Sequence, residues 1–160
     1  MLRESSDIVI RSFQQSDIDD LIALFRLSVR KIAAAHYSVD QCLAWAPDQI
    51  DRTIWVEKRS NKPTWVAICN SQIAGFTDLE PDGHIDMLYV HPDFQRQGVA
   101  TVLIRQVYET ATKQHIKRLF TEASITARPA FEKFGFTVIE QQTVLRNGQT
   151  LINYRMEQLL

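Results

Sequence analysis

Between Val90 and Tyr108 the chain reads Val-His-Pro-Asp-Phe-Gln-Arg-Gln-Gly-Val-Ala-Thr-Val-Leu-Ile-Arg-Gln-Val-Tyr, the end of an apolar strand running through a glycine turn into an amphipathic helix. A turn of this kind aims the free backbone N–H groups of the first helical turn at whatever lies in front of it, and the helix dipole favours an anion there. Gly98 permits a positive φ, and the small Ala100 leaves the backbone open to a close-lying diphosphate. The candidate cradle is therefore Gln95, Arg96, Gln97, Gly98, Val99 and Ala100, with Arg96 as the electrostatic partner of the phosphates. The sequence contains no G-x-x-x-x-G-K-[ST] and no G-x-G-x-x-G, which argues against a nucleoside triphosphatase and a dinucleotide-binding domain.

Composition narrows the class further. With 160 residues the chain is the size of one domain, read here as spanning 1–160, and 45% apolar against 23% charged residues fits a soluble globular protein. A formal net charge of -1 and the absence of a basic arm leave no electrostatic footprint for nucleic acid. Cys42 and Cys69 are too few for a disulfide framework and read as reduced, structural thiols. The four histidines lack metal-ligand spacing, so no metal is expected. The opening Met-Leu-Arg-Glu-Ser-Ser-Asp has no apolar core for a signal peptide, and no stretch approaches a membrane span, so the expected compartment is the cytoplasm.

The elements that must position the cradle follow from periodicity. Ile8 to Arg11 reads as a strand, and Ser16 as the cap of a helix whose buried stripe is Ile18, Leu21, Ile22, Phe25 and Val29. Ser38 and Gln41 form a capping box for a short second helix, and a third helical stretch covers Ile50 to Lys58. From Thr64 the period becomes two: Trp65 to Cys69, Ile73 to Thr77 and His84 to Val90 make an antiparallel meander that delivers the chain to the glycine turn. The helix after it turns Val99, Leu103, Val107 and Ala111 inward. Leu119 to Ala123 then returns as a strand, which implies a crossover and parallel pairing with the strand before the turn. A short helix from Thr126 to Phe134 ends at Gly135, and Asn147-Gly148 joins the last two strands as a hairpin.

These residues carry a resemblance. Gln95-Arg96-Gln97-Gly98-Val99-Ala100, preceded by Val90-His91-Pro92, fits the Q/R-x-x-G-x-G/A pattern of the GCN5-related N-acetyltransferases (GNAT superfamily). Ala130-Phe131-Glu132-Lys133-Phe134-Gly135-Phe136 resembles the superfamily's helix ending in Tyr-Glu-Lys-x-Gly-Phe. With His36-Tyr37-Ser38, Ala44-Trp45-Ala46, Ile85-Asp86-Met87-Leu88 and Ala123-Ser124-Ile125-Thr126-Ala127, the likeness to the YafP-type acetyltransferases covers almost the whole chain.

The resemblance implies an α/β GNAT fold: a mixed, mostly antiparallel sheet with a splayed parallel strand pair, flanked by helices. It implies acetyl-coenzyme A in the wedge, its pantetheine paired with backbone groups of Leu88, Tyr89 and Val90 and its diphosphate on Gln95 to Ala100. Ser124, Ala127 and Phe131 complete that side, with Arg128 and Lys133 as candidates for the ribose phosphate. Asp86 stands where many members carry a Glu or Asp base, and His84, two residues away in a regular strand, would share its face, either as a relay or as a residue that merely sits near the turn. Asp86 also reads as a salt-bridged strand residue. His36, Tyr37 and Trp45 fall in the region that closes over the acceptor in this superfamily, where aromatic rings bind a cation or a flat amine. Trp45 in the core and His36 at a helix end is the other reading. One departure matters: the tyrosine that often protonates the leaving thiolate is Phe131 here, so either the thiolate leaves without a dedicated acid or the proton comes from Tyr154, Tyr37 or water.

The expected activity is direct acetyl transfer within a ternary complex to a primary amine of a small molecule, by a monomer or homodimer. A protein lysine or N-terminal acetyltransferase is one alternative, and a non-catalytic acyl-coenzyme A sensor, suggested by Phe131, is the other.

Overall fold

The computed structural model describes residues 7–160, so the signal-peptide reading of the first residues lies almost wholly outside it. Its elements run β1 (Ile8–Ser12), α1 (Ile18–Lys31), α2 (Val39–Trp45), α3 (Arg52–Ser60), β2 (Thr64–Cys69), β3 (Gln72–Asp78), β4 (Leu88–Val90), α4 (Val99–Lys113), β5 (Arg118–Ser124), α5 (Arg128–Lys133), β6 (Thr137–Arg146) and β7 (Gln149–Leu159). Two antiparallel sheets form, in the orders β1-β2-β3-β4 and β5-β7-β6. They meet at one parallel bridge between His84 and Phe120, where the Ile85 N–H donates to the Phe120 carbonyl at 2.9 Å and the Phe120 N–H to the Gly83 carbonyl at 3.1 Å. The expected parallel pairing is thus confined to the residues before β4. Beyond the bridge, β4 and β5 belong to different sheets.

Strand alternation sorts the core into faces. Val66 and Ile68 of β2, Phe76 of β3 and Tyr89 of β4 turn to α1, α2 and α3, where Leu21, Leu24, Phe25, Val29 and Cys42 meet them. Ala67, Cys69, Leu88 and Val90 turn the other way, onto Val99 and Leu103 of α4. Val107, Ala111, Leu119, Phe131, Phe136 and Met156 extend that second core beneath β5 and β7.

Local chemistry sets most boundaries. Ser38 accepts from the Gln41 N–H while the Gln41 side chain accepts from the Ser38 N–H, the expected capping box. Asn147 and Gly148 both take positive φ (45° and 84°), as a two-residue hairpin between right-twisted strands requires. Asn70 and Ser71 do the same (51° and 62°) between β2 and β3. The entry to α1 differs from expectation: Gln14 and Asp17, not Ser16, form the box, around a 3-10 turn at Gln15–Asp17. Asp17 is fixed there by a two-pronged pairing with Arg11, both oxygens at 2.8 Å, which holds its carboxyl below the ordinary range.

The largest difference lies before the glycine turn. The expected strand from His84 to Val90 forms only at Leu88–Val90. Asp78, fully buried at the end of β3, accepts the Asp86 N–H at 2.8 Å and the Met87 N–H at 3.3 Å through Oδ1, taking the place of a strand partner. His84 and Asp86 consequently do not stand as neighbours on one regular strand and hold different partners.

Candidate active site

A cleft of about 610 Å³ opens between β4 and β5. Its walls are Leu88, Tyr89 and Val90 on β4, Phe94 to Arg96 and Gly98 to Thr101 of the turn, and on the far side Ser124, Thr126, Ala127, Pro129 to Phe131, Lys133 and Phe134. Ser28, Val29, Ile32 and Ala33 of the α1 region and Trp45 of α2 close it over the β4 end.

Backbone geometry makes this cleft receptive. β4 is the last strand of its sheet among the described residues. The His91 N–H donates to the Ala74 carbonyl at 2.7 Å, and Tyr89 stands opposite Phe76, so antiparallel alternation turns the Tyr89 N–H and C=O toward β3. An added Cβ on Gly75 would lie 2.8 Å from the Tyr89 carbonyl oxygen, which fits that direction. The N–H and C=O groups of Leu88 and Val90 therefore face the open edge, where an extended amide-bearing chain can pair with them. Tyr89 presents its side chain to the cleft, not its backbone.

At the cleft's other end Gly98 has φ +84° and directly precedes α4. Among the described residues no side chain caps this helix, and its first turn holds no acid, so the N–H groups of Val99, Ala100 and Thr101 stay open to an anion. Arg96 also takes positive φ (60°), and the alternation Arg96–Gly98 curls successive N–H groups into a concavity of the kind that binds phosphates. Nothing lies within 4 Å of a Cβ built on Gly98, so glycine is required there by the dihedral and not by space.

Close approach is needed instead at Gly75, a position that sequence reading passed over. A Cβ there would come within 2.9 Å of Val99 Cγ1 as well as 2.8 Å of the Tyr89 carbonyl, so its absence lets the start of α4 settle on β3 and β4. The wall formed by Ser28, Val29, Ile32 and Ala33 was not expected either: Val29 reads as part of the core stripe of α1, and the other three carry no signal of a cleft.

The remaining candidates fall into two groups. Gln95, Arg96, Gly98, Val99, Ala100, Ser124, Ala127, Phe131 and Lys133 line the cleft, as does Trp45. Gln97 does not, and its amide donates to the Asp93 carbonyl at 3.4 Å. Arg128 stands outside the lining, with Glu132 at 2.9 Å and the Tyr154 ring 4.5 Å beneath its guanidinium. Phe131 is buried against Phe134 and Phe136 and offers no proton. Ser124 accepts the Ala127 N–H at 3.0 Å, bending the chain out of β5 into α5.

Of the residues expected on the acceptor side, His36 reaches Thr126, Nδ1 to Oγ1 at 2.8 Å. Tyr37 is buried; its hydroxyl donates to the Ile152 carbonyl and accepts the Ile125 N–H at 2.9 Å, tying the α1–α2 connection to both β5 and β7. Burial pushes this phenol up. Tyr37→Phe is expected to lower stability by about 1–3 kcal/mol, since it strips two backbone groups of their partner at once; the urea midpoint measures this, and an unchanged midpoint would refute the tie. Trp45 and Tyr89 stand 6.5 Å apart in an aromatic cluster with Phe25, Phe76 and Trp55. Burial pushes the Tyr89 phenol far above its ordinary value, against the opposing effect of a hydrogen bond with Trp45.

His84, Asp86 and Tyr154 lie outside the lining. His84 sits between two carboxylates, Nε2 on Glu122 and Nδ1 3.3 Å from Glu80. The hydrogen bond to Glu122 is the main cause that raises it to about 9, and burial opposes it. The same bond lowers Glu122. A raised imidazole stabilises the fold fully below its unfolded value of 6.5 and loses that contribution as pH rises through about 9. The lowered Glu122 contributes above its ordinary 4.5 and is lost as pH falls. The urea midpoint of the wild type is therefore expected to fall between pH 6.5 and 9, and that of His84→Leu to stay flat over this window; parallel curves would refute the assignment.

The cleft joins an unpaired strand edge at one end to an uncapped helix N-terminus at the other, a geometry that suits backbone pairing along one part of a ligand and an anionic group at its end. The acetyltransferase (GNAT) domain family matches residues 33–158. The chain is 39% identical over 151 residues, 94% of its own length and 95% of the relative's, to the uncharacterized N-acetyltransferase YafP of Escherichia coli (strain K12). It superimposes with a TM-score of 0.91 and 33% identity on a GCN5-related N-acetyltransferase from Rhodopseudomonas palustris, covering 95% of both chains. At 19% identity, the PaiA N-acetyltransferase of Thermoplasma acidophilum, solved in complex with coenzyme A, shares the fold at a TM-score of 0.74, over 96% of this chain and 99% of that one. The chain belongs to the GNAT family of N-acetyltransferases.

Proposed function

We propose that the protein transfers an acetyl group from acetyl-coenzyme A directly to a primary amine of a small molecule. The observation that carries this reading is the continuity of one cleft from the uncapped start of α4, along the free edge of β4, to the aromatic end at Tyr89 and Trp45. The residues fit the coenzyme. Val99, Ala100 and Thr101 offer N–H groups to a diphosphate, Arg96 and Lys133 line the same region, and Leu88 and Val90 offer backbone groups to the pantetheine amides. A structure of the same fold, that of yncA from Salmonella typhimurium (TM-score 0.71, 18% identity, over 95% of this chain and 93% of that one), was solved with its cofactor acetyl-CoA.

The coenzyme supplies an acetyl group activated as a thioester. The chain's residues supply the rest. The Leu88 N–H is directed to polarise the thioester carbonyl. Trp45, Tyr89, Val29 and Ala33 enclose the acceptor end. An alkyl ammonium, of pKa about 10.4, must lose a proton before its nitrogen can attack. Asp86 is the base in this reading, receiving that proton directly or through water. The C–N bond forms as the C–S bond breaks; the amide nitrogen releases its second proton to solvent, and the thiolate leaves as it stands or takes a proton from water, because Phe131 has none to give.

The test is acetyl-coenzyme A-dependent thiol release across polyamines, amino acids, aminoglycosides, arylamines and lysine peptides. Release with a small-amine class supports the proposal. Release with peptides alone would replace it with a protein acetyltransferase, and coenzyme binding without release on any acceptor would replace it with a sensor.

A further inference from the structure

Behind Asp86 lies a set of charges that neither stability nor the cleft explains. The Arg59 side chain, on α3, is fully buried (0% exposed), with its guanidinium carbon 4.9 Å from the centre of the Trp55 ring. Arginine cannot shed its charge, yet Nε and Nη1 have no hydrogen-bond partner among the described residues; only Nη2 reaches an acid, Asp86 Oδ2 at 3.3 Å. Lys62, just past α3, places Nζ 2.9 Å from Glu80, 3.4 Å from Asp78 Oδ2 and 3.4 Å from Asp86 Oδ2. Burial pulls this ammonium down, but Asp78, Glu80 and Asp86 together outweigh it and leave it raised. Asp78 is itself buried, with Oδ1 on the N–H groups of Asp86 and Met87 and Oδ2 without a hydrogen bond. Its carboxyl is raised by burial, against the pull of Lys62.

Buried ion clusters with unfilled hydrogen-bonding groups are poor stabilisers, and apolar side chains of similar volume serve a fold as well or better. Their value is orientation. Here they share one target. Asp78 fixes the backbone at Asp86 and Met87, and Arg59 and Lys62 both hold Oδ2 of Asp86. The other oxygen, Oδ1, has no partner among the described residues, and the side chain is 37% exposed.

We propose that Arg59, Lys62 and Asp78 are positioning residues that clamp the Asp86 carboxylate by one oxygen and leave the other open to the acceptor amine. The clamp rests on the reading of Asp86 as the base. It also accounts for the late start of β4: by drawing in the N–H groups of residues 86 and 87, Asp78 lets the regular strand begin at Leu88, the residue whose N–H faces the open edge and would polarise a bound thioester. The charged or titratable groups that face Asp86 are Arg59 from α3, Lys62 from the connection to β2, Asp78 from β3, Tyr89 from β4 and Glu122 from β5.

The experiment compares Arg59→Met, Arg59→Lys and Lys62→Gln with wild type by the pH profile of kcat, the KM for acetyl-coenzyme A, and a carboxyl-carbon NMR titration of Asp86. Arg59→Met and Lys62→Gln are expected to lower kcat about 10-fold, since a displaced reacting group loses rate steeply, with the coenzyme KM within about twofold. They should also move the acid limb of kcat and the Asp86 titration together to higher pH, because a cation that opposes protonation is gone. Arg59→Lys should restore part of both shifts. Lower stability with an unmoved Asp86 titration and unmoved kcat per folded molecule would overturn the clamp. Failure of the underlying reading looks different: Asp86→Asn would leave kcat unchanged whatever Arg59→Met does to the titration. Should Arg59→Met not fold, Lys62→Gln, at a side chain 11% exposed and beyond the end of α3, decides alone.

Discussion

Gly98→Val is expected to weaken acetyl-coenzyme A binding about 30- to 100-fold, or ~2–3 kcal/mol, the worth of one or two hydrogen bonds to a charged phosphate. At φ +84° a β-branched side chain is a severe outlier, so the turn relaxes and the N–H groups of Val99 to Thr101 lose their common aim. Among the described residues no atom lies within 4 Å of the added Cβ, which removes steric clash with them as an explanation. Gly148→Val supplies the control. Gly148 has the same φ of +84° and the same open surroundings, but sits at the tip of the β6–β7 hairpin. Both variants carry the strain of a valine in the left-handed region, on the order of 1–2 kcal/mol, and only Gly98→Val should lose the coenzyme in calorimetric titration. Equal affinities in the two would exclude the α4 cradle as the diphosphate site.

That contrast shows what kind of information the sequence carried. Features set by residues close together were legible: the Asn147-Gly148 turn, the Ser38–Gln41 box, the stripe of α4 and the glycine before it all depend on dihedral preference or helical period over a few positions. The candidate cradle was legible as local structure for the same reason, being a glycine turn that opens a helix. Asp86 was legible as a candidate, but its setting was not. A strand from His84 to Val90 follows from periodicity, and it fails at residues 84 to 87 because Asp78 takes the N–H groups of Asp86 and Met87, while the His84 N–H turns back to Asp82 and the Ile85 N–H crosses to the Phe120 carbonyl. Arg59 and Lys62 look like the solvated end of a helix, since a buried charge and a surface charge are written with the same letters. Gly75 looks like a weak point in β3 until Val99 and the Tyr89 carbonyl are seen against it. Val29 illustrates the limit on the acceptor side: it belongs to the buried stripe of α1 and lines the cleft at once, and no period separates the two roles.

Asp86→Asn is expected to lower kcat about 100- to 1,000-fold, within the range that a positioned general base contributes, while acetyl-coenzyme A affinity stays within about twofold because the proposed coenzyme contacts are backbone groups of β4 and α4. The substitution keeps size and the capacity to accept from Arg59 and Lys62, so the geometry is largely retained and the lost property is the ability to take a proton. It also removes half the reason for a buried Arg59 to be tolerated, and breaking a buried pair costs roughly 3–5 kcal/mol at most. Lower stability alone therefore cannot identify the base. The discriminating quantity is the acid limb of kcat. In the wild type, turnover should rise with pH as the Asp86 carboxylate is freed of its proton. In Asp86→Asn that limb should vanish, and the residual rate should follow only the deprotonation of the acceptor amine, whose pKa of about 10.4 places it several units higher. A retained limb at lower amplitude would mean that Asp86 serves only as the counter-ion of Arg59 and that the proton leaves by another route, with Glu122 the nearest carboxylate on β5 to test next.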